Sequence, residues 1–495
     1  MDTGKQVRSA ACARLHKLRA AAIGLDVHYE IATGERTRRI YLDSTASTLR
    51  LQLVQDVLDR YLPHYSNTHS MLHFSAKLST REYQWAHQIV LQFVRADPAT
   101  HMCFFAGSGA TAGMNRVART LREHRPDRDV VLTSIMEHHS NDLPHRKHFR
   151  EVVHVPAIVT EASLGSVDLA QLERLLKMHG PRVNYVAVTG VSNVTGIVNP
   201  IHEIAAMTHR HGALVVVDAA QMAAHLPIRM SGHADASQDL DVVVFSGHKV
   251  YAPGSPGVVV ARQSLFAGVE PQDVGGGMVD TVWVDRYTVS DRFPDREEAG
   301  TPNISGAIGL AAALYALQSI GMDVIAEDEA RLVRDTLDKL AGVPGIVIYG
   351  DLDAARFNRT GAVSFNLEGF DHALTAAVLN DYFNVAVRNE CFCAHPYVRE
   401  MVMMSLAGIA DQLDNATLER LADMHRGMVR ASFGLYNTAA DVDALVAALR
   451  AISTRREEFT ALYERLPNGD YVHRQFRFDP TQVFSIKGEV DRLLG

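Results

Sequence analysis

Short runs that are apolar at every position, Val130 to Ile135, Val183 to Val188, Ala213 to Val217 and Val242 to Phe245, alternate with stretches whose apolar residues recur at helical spacing, such as Leu169 to Met178 and Ile201 to His209. A strand with no polar face is buried on both sides, and helices are what cover it. The pattern predicts an α/β fold with a large, doubly wound, mostly parallel sheet. Open sheets of this kind place their ligands beyond the carboxyl ends of the strands, which directs attention to the polar residues after each run.

Ser305 to Leu317 is apolar nearly all round and predicts a helix buried between domains or against a partner subunit. Past Gly321 the pattern changes to alternating segments, Gly361 to Asn366 and Val385 to Arg388, then Arg430 to Tyr436 and a helix opened by Thr438 with Asp441 in its first turn. These predict a smaller α+β domain. The expected division is a segment 1–40 packing with the small domain, a large domain over 41–320, the small domain over 321–455 and a polar tail over 456–495.

A chain of 495 residues exceeds what one small core organises, so two domains are expected. With 47% hydrophobic residues and a formal charge of -8, it is neither a disordered chain nor a nucleic-acid binder, which needs a clustered basic face. Cys12, Cys103, Cys391 and Cys393 do not form a disulfide framework and suit a reducing cytoplasm. No run reaches the ~18 apolar residues of a membrane span, and Met1 to Ala20 lacks the apolar core of a leader. The expected location is therefore cytoplasmic, away from membranes, and no metal ligands are expected.

Three segments carry candidate chemistry. Phe104 to Asn115 is a strand end, a Gly-rich turn and the start of a helix running through Leu121. Small residues there let backbone N–H groups converge on an anion, helped by the helix dipole; a plain tight connection has the same composition, and the spacing fits neither the Walker nor the dinucleotide pattern. Val217 to Gln221 ends a buried strand on Asp218, whose carboxylate would either hold a pyridine ring nitrogen protonated or cap a helix. Val244 to Lys249 runs from a buried strand into Ser246, Gly247, His248 and Lys249. Most lysines are solvated surface groups, but a partly buried one at a sheet edge forms a Schiff base with an aldehyde, and the first two segments favour that role here.

The ordered motifs Leu42-Asp43-Ser44, Ser108 to Thr111, Glu137 to Asn141, Val191 to Gly196, Asp218 to Gln221, Ser246 to Lys249, Gly275 to Met278, Glu298 to Asn303 and Arg430 to Ser432 span residues 40–450. In them the chain resembles the class V aminotransferase family of fold-type I pyridoxal-phosphate enzymes, and within it the cysteine desulfurase and selenocysteine lyase group. The resemblance implies pyridoxal 5'-phosphate as cofactor. Lys249 would be the imine lysine and proton shuttle, His138 would stack on the ring, and Asp218 would pair with its nitrogen. Asn193 and Gln221 would bond the ring hydroxyl oxygen, while Ala110, Thr111, Ser246 and His248 would take the phosphate. Thr301 would reach that phosphate from the other subunit of a homodimer. Arg430 would grip the carboxylate of a small amino-acid substrate, because a planar guanidinium matches it with two parallel hydrogen bonds. Arg388 and Asn193 would belong to the same neighbourhood.

The loop Val387 to Pro396 resembles the desulfurase loop, where a reactive cysteine precedes Ala and then a Pro two residues on; that alignment makes Cys393 the nucleophile. The implied reaction cleaves the C–S bond of L-cysteine, or its selenium analogue, to alanine, leaves a persulfide on Cys393 and passes sulfur to a sulfur-acceptor protein. The loop departs from the group in Asn389-Glu390, in the second thiol Cys391 and in the long interval to Arg430; His145 and Asp43-Ser44-Thr45 are further departures. The alternative is another class V reaction, by an aminotransferase, an isopenicillin N epimerase-like enzyme or a β-eliminating lyase, with Cys393 incidental. Intact Lys249, Asp218 and His138 argue against a non-catalytic scaffold.

Overall fold

In a computed structural model, which describes residues 2–160, 163–410 and 427–495, seven strands build one large sheet. They are β1 (His101–Ala106), β2 (Val130–Ser134), β3 (Glu151–Val155), β4 (Val183–Thr189), β5 (Leu214–Asp218), β6 (Val242–Ser246) and β7 (Gly257–Arg262), in the order β1-β7-β6-β5-β4-β2-β3. All run parallel except β7, which is antiparallel to both neighbours. Every residue of β1, β2, β4, β5 and β6 is buried. Alternate residues of one strand enter different cores: Val215, Val217, Val243 and Phe245 lie in one, Val216, Val242 and Val244 in the other. Each such side chain contributes roughly 1.5–3 kcal/mol when removed from water, which is why runs without a polar face become central strands.

Because β1, β4, β5 and β6 share one direction, their carboxyl ends meet at a single edge. The segments 107–111, 190–193, 219–221 and 247–249 therefore converge there.

Helix Ile304–Ile320 is largely buried and packs against Phe74–Phe93 and Gln52–Tyr61. At Gly321, with φ +99°, the chain turns by 81° into Met322–Leu340. No single described helix is long and apolar enough to cross a membrane.

A second, antiparallel sheet has the order β8 (Ile346–Ile348), β9 (Ala362–Leu367), β11 (Met428–Ser432), β10 (Arg388–Glu390). Its own apolar core includes Val363, Phe365, Val429 and residues of the helices His372–Phe383 and Ala439–Thr454. Thr438 and Asp441 form the expected capping box. Two details differ from the sequence pattern. Val385 to Arg388 is not one strand: Val385–Ala386 pairs with Ile40–Tyr41, and the chain then changes partner to place Arg388–Glu390 beside β11. β11 also ends at Ser432, because the Asn437 side chain takes the Gly434 N–H and the Tyr251 hydroxyl takes the Leu435 N–H.

The N-terminal helix Asp2–Arg19 reaches the long helices through Arg14 to the Ser319 carbonyl and Arg19 to Asp328. The tail is more ordered than its polarity suggests. Helix Arg456–Leu462 and the hairpin Tyr463–Arg465/Tyr471–His473 bury Phe459, Tyr463 and His473, whereas helix Ile486–Leu494 leaves Ile486, Leu493 and Leu494 exposed.

Candidate active site

The strand ends open onto a cavity of about 630 Å³ whose wall is completed by β10, β11 and the loop carrying Phe392 and Cys393. It brings together Lys249, His138, Asp218, Asn193, Gln221, Ser246, His248, Ala110, Thr111, Arg388, Arg430 and Cys393. Thr301 does not line the cavity of its own chain; it is exposed and accepts a 3.2 Å hydrogen bond from Asn67 Nδ2. The interval between Cys393 and Arg430 lies in part outside the described residues.

Lys249 ends the short turn Gly247–Lys249 that follows β6. Gly247 permits the turn, since a Cβ there would stand 2.1 Å from Ser255 Oγ and 3.0 Å from the Pro256 carbonyl. Burial lowers the Lys249 pKa, Arg430 lowers it further, and Asp218 and Cys393 oppose. The result is an amine more available in its neutral, nucleophilic form.

Asp218 ends β5 and is buried, and its Oδ1 accepts the Ala220 N–H at 2.8 Å. The next helix, Met222–His225, receives no side-chain cap, so Asp218 is not its N-cap. Burial raises the Asp218 pKa, and the Ala220 N–H and Lys249 pull it back. A cationic ring N–H is a fitting partner for a carboxylate so placed.

His138 Nδ1 accepts the Ser140 N–H at 3.1 Å, which fixes the ring at the turn His139–Asn141. Burial first, then Lys249, His139 and Arg430, lower its pKa to about 3, so the ring is neutral.

At the end of β1 the chain makes a Gly-containing turn at the edge of the cavity. A Cβ on Gly107 would meet nothing within 4 Å, while one on Gly109 (φ +60°) would stand 2.7 Å from Ser246 Oγ, so backbone and hydroxyl approach closely only with glycine there. Helix Gly109–His124 starts with no side-chain cap; Ala110 N–H donates to Ser246 Oγ at 2.7 Å, and Thr111 Oγ1 lies 2.7 Å from Ser140 Oγ. The positive end of a helix dipole beside the hydroxyls of Thr111 and Ser246 and the His248 ring suits a phosphate, while the Gly109 and Ala110 N–H groups are here taken by the Gly107 carbonyl and Ser246 Oγ.

Opposite, Arg430 is buried, donates Nη1 to the Asn193 carbonyl at 2.8 Å and stacks 4.6 Å above the Phe392 ring. Its Nη2 lies 3.5 Å from Asp43, which also pairs with Arg388 Nη2 at 2.9 Å, and its Nε is buried without a hydrogen-bond partner among the described residues. Thus one carboxylate, Asp43, already sits between the two guanidinium groups assigned to substrate. The amide nitrogens of Asn193 and Gln221 donate to the Phe392 and Thr45 carbonyls at 2.8 and 3.0 Å. Cys393 is exposed at φ +55°, its carbonyl held by the His139 N–H at 2.7 Å. Asp43, Thr45, Ser140 and Phe392 were given no role from sequence, although each lies in a segment singled out there: Leu42-Asp43-Ser44 and Asp43-Ser44-Thr45, Glu137 to Asn141, and the loop Val387 to Pro396.

Residues 40–445 match the class-V aminotransferase family, and the chain belongs to it. A probable cysteine desulfurase of Halalkalibacterium halodurans is 34% identical over 415 residues, 83% of this chain and 92% of that protein. Among solved structures, a cysteine desulfurase from Thermococcus onnurineus NA1 superposes with a TM-score of 0.72 at 28% identity, covering 89% of this chain and 98% of its own. A cysteine desulfurase from Escherichia coli gives 0.69 at 29%, covering 88% and 98%. The large sheet and its smaller companion are therefore the fold-type I arrangement expected from sequence.

Proposed function

We propose that this chain is a pyridoxal-phosphate-dependent cysteine desulfurase, with the roles assigned from sequence. The observation that carries the reading is one cavity that brings Lys249, Asp218 and the helix-start turn 107–111 together with Arg430 and Cys393. The phosphate would lie on 107–111 with Ser246 and His248, the ring between His138 and the strand ends, and the ring nitrogen against Asp218. Bound there, the cofactor supplies an electron sink for the carbon bearing the substrate's amine.

Arg430 orients the substrate through its carboxylate, in place of the long contact to Asp43, and Arg388 adds charge at the mouth. Lys249 takes the proton from the α carbon and returns one to the alanine product. Cys393 Sγ, as thiolate, attacks the substrate sulfur: the new S–S bond forms, the C–S bond breaks, and the sulfur remains as a persulfide. An exposed thiol on a loop can approach substrate and then an acceptor. The large domain over 41–320 holds the cofactor, and Thr301 completes the phosphate site of the second subunit of a homodimer.

The test is L-cysteine turnover by cofactor-loaded protein, following alanine and, after alkylation, persulfide. Wild type should form both, and Cys393→Ser should form neither while keeping the cofactor's colour. Full turnover by Cys393→Ser would refute the assignment.

A further inference from the structure

We propose that Cys391 is a second sulfur carrier, which takes the sulfur from Cys393 and presents it to a thiol acceptor in a neighbouring cavity; this rests on the desulfurase reading above. Cys391 and Cys393 share one tight turn, closed by a 2.9 Å hydrogen bond from the Ala394 N–H to the Cys391 carbonyl. Its two central residues, Phe392 and Cys393, are both left-handed, at φ +51° and +55°, and Glu390 before it stands at +96°. Such backbone is strained in non-glycine residues and persists only where the surroundings impose it. Here Asn193 holds the Phe392 carbonyl and the His139 N–H holds that of Cys393.

The two thiols serve different spaces. Cys393 lines the cofactor cavity and Cys391 does not; Cys391 lines a second cavity of about 1070 Å³, and Cys393 does not. Asn389 and Glu390 form a wall common to both. Beside the carboxylates of Asp371, Glu390 and Asp470, the second cavity carries the guanidinium groups of Arg399 and Arg465, which suit an incoming thiolate. Arg465 to Asp470, which closes one side, belongs to the tail hairpin beyond residue 445, where the family match ends. A thiol absent from the group's loop pattern thus faces a cavity walled by a segment outside the family match.

The step balances without an oxidant or reductant. The Cys391 thiolate attacks the outer sulfur of the Cys393 persulfide; an S–S bond forms to Cys391, the original S–S bond breaks, and Cys393 leaves as thiolate. One thiolate and one persulfide stand on each side. Burial first, then Glu390 and Cys393, raise the Cys391 pKa, which makes its thiolate scarcer but the stronger nucleophile toward sulfur. Cys393 is left ready for the next substrate.

The experiment treats the holoenzyme with L-cysteine without reductant, alkylates it at successive times and places the added sulfur by fragmentation mass spectrometry. The added sulfur should be found on Cys393 first and then on Cys391. In Cys391→Ser it should remain on Cys393, and its removal by added glutathione should slow about fivefold or more. The relay is overturned if wild type carries sulfur on Cys393 alone at all times, if Cys391→Ser yields it to glutathione at the wild-type rate, or if a Cys391–Cys393 disulfide forms with release of sulfide. Sulfur on Cys391, or alanine, from Cys393→Ser would instead overturn the assignment of Cys393 as the first sulfur acceptor, on which the relay rests.

Discussion

Arg430 is held in place before any substrate arrives: Asn193, Asp43 and the Phe392 ring each fix part of its guanidinium. A lysine there would keep the charge but lose the planar fork and most of the stacking. Arg430→Lys should therefore raise KM for L-cysteine by about ten- to a hundredfold, roughly 1.5–3 kcal/mol, with a smaller effect on kcat. Steady-state kinetics decide it; an unchanged KM would place the carboxylate elsewhere. Lys249→Ala tests the other wall. The variant should lose the cofactor's covalent absorption band and at least about a thousandfold in turnover, because both the attachment point and the proton acceptor are gone. A visible spectrum together with alanine release measures both.

At the scale of elements, helix Gly109–His124 sits on the sheet through Gly113, where a Cβ would stand 2.8 Å from Val244 Cγ1 and from Val259 Cγ2. Gly113→Val should cost about 1–3 kcal/mol by overpacking and tilt the turn that carries Ala110 and Thr111. A lower Tm together with faster loss of cofactor on dialysis is the expected result. This helix also shows what could be read in advance. The buried strands were legible because a run apolar at every position has one comfortable environment, and Asp218 and Lys249 were legible because the first directly follows such a run and the second ends the short polar turn after another. β7 was not singled out, since nothing local to Gly257–Arg262 tells an antiparallel insertion from another parallel strand. The change of partner at Val387 likewise depends on Ile40 and Tyr41, hundreds of residues away in the chain. The contacts that shape the substrate side, Asp43 to Arg430 and Asn193 to Phe392, were invisible for the same reason: each joins residues far apart in sequence.

For the whole molecule, the tail divides into two parts with different consequences. Phe459, Tyr463 and His473 are buried, and Tyr463 and His473 bond Asp381 and Tyr382, so deleting 456–495 should lower Tm markedly, whereas deleting 480–495 should leave it nearly unchanged. Acid stability depends on buried titratable groups, two of which, His138 and His248, line the cavity. Burial lowers the pKa of His138 to about 3 and those of His145 and His248 to about 4, from an ordinary 6.5. A base whose folded value is depressed binds its proton more readily in the unfolded chain, so stability is complete above 6.5 and is lost as pH falls toward the folded values. Glu137 acts oppositely: burial raises it from 4.5 to about 8, so its contribution declines as pH rises through that window. Three groups against one make the net change a loss on acidification. The Tm should fall steadily between about pH 6.5 and pH 4, well before the carboxylates with the lowest pKa values, such as Asp142 at about 2, begin to protonate. A melting series across that range checks it, and a Tm that stayed level down to about pH 4 would mean that these histidines accept protons in the folded protein.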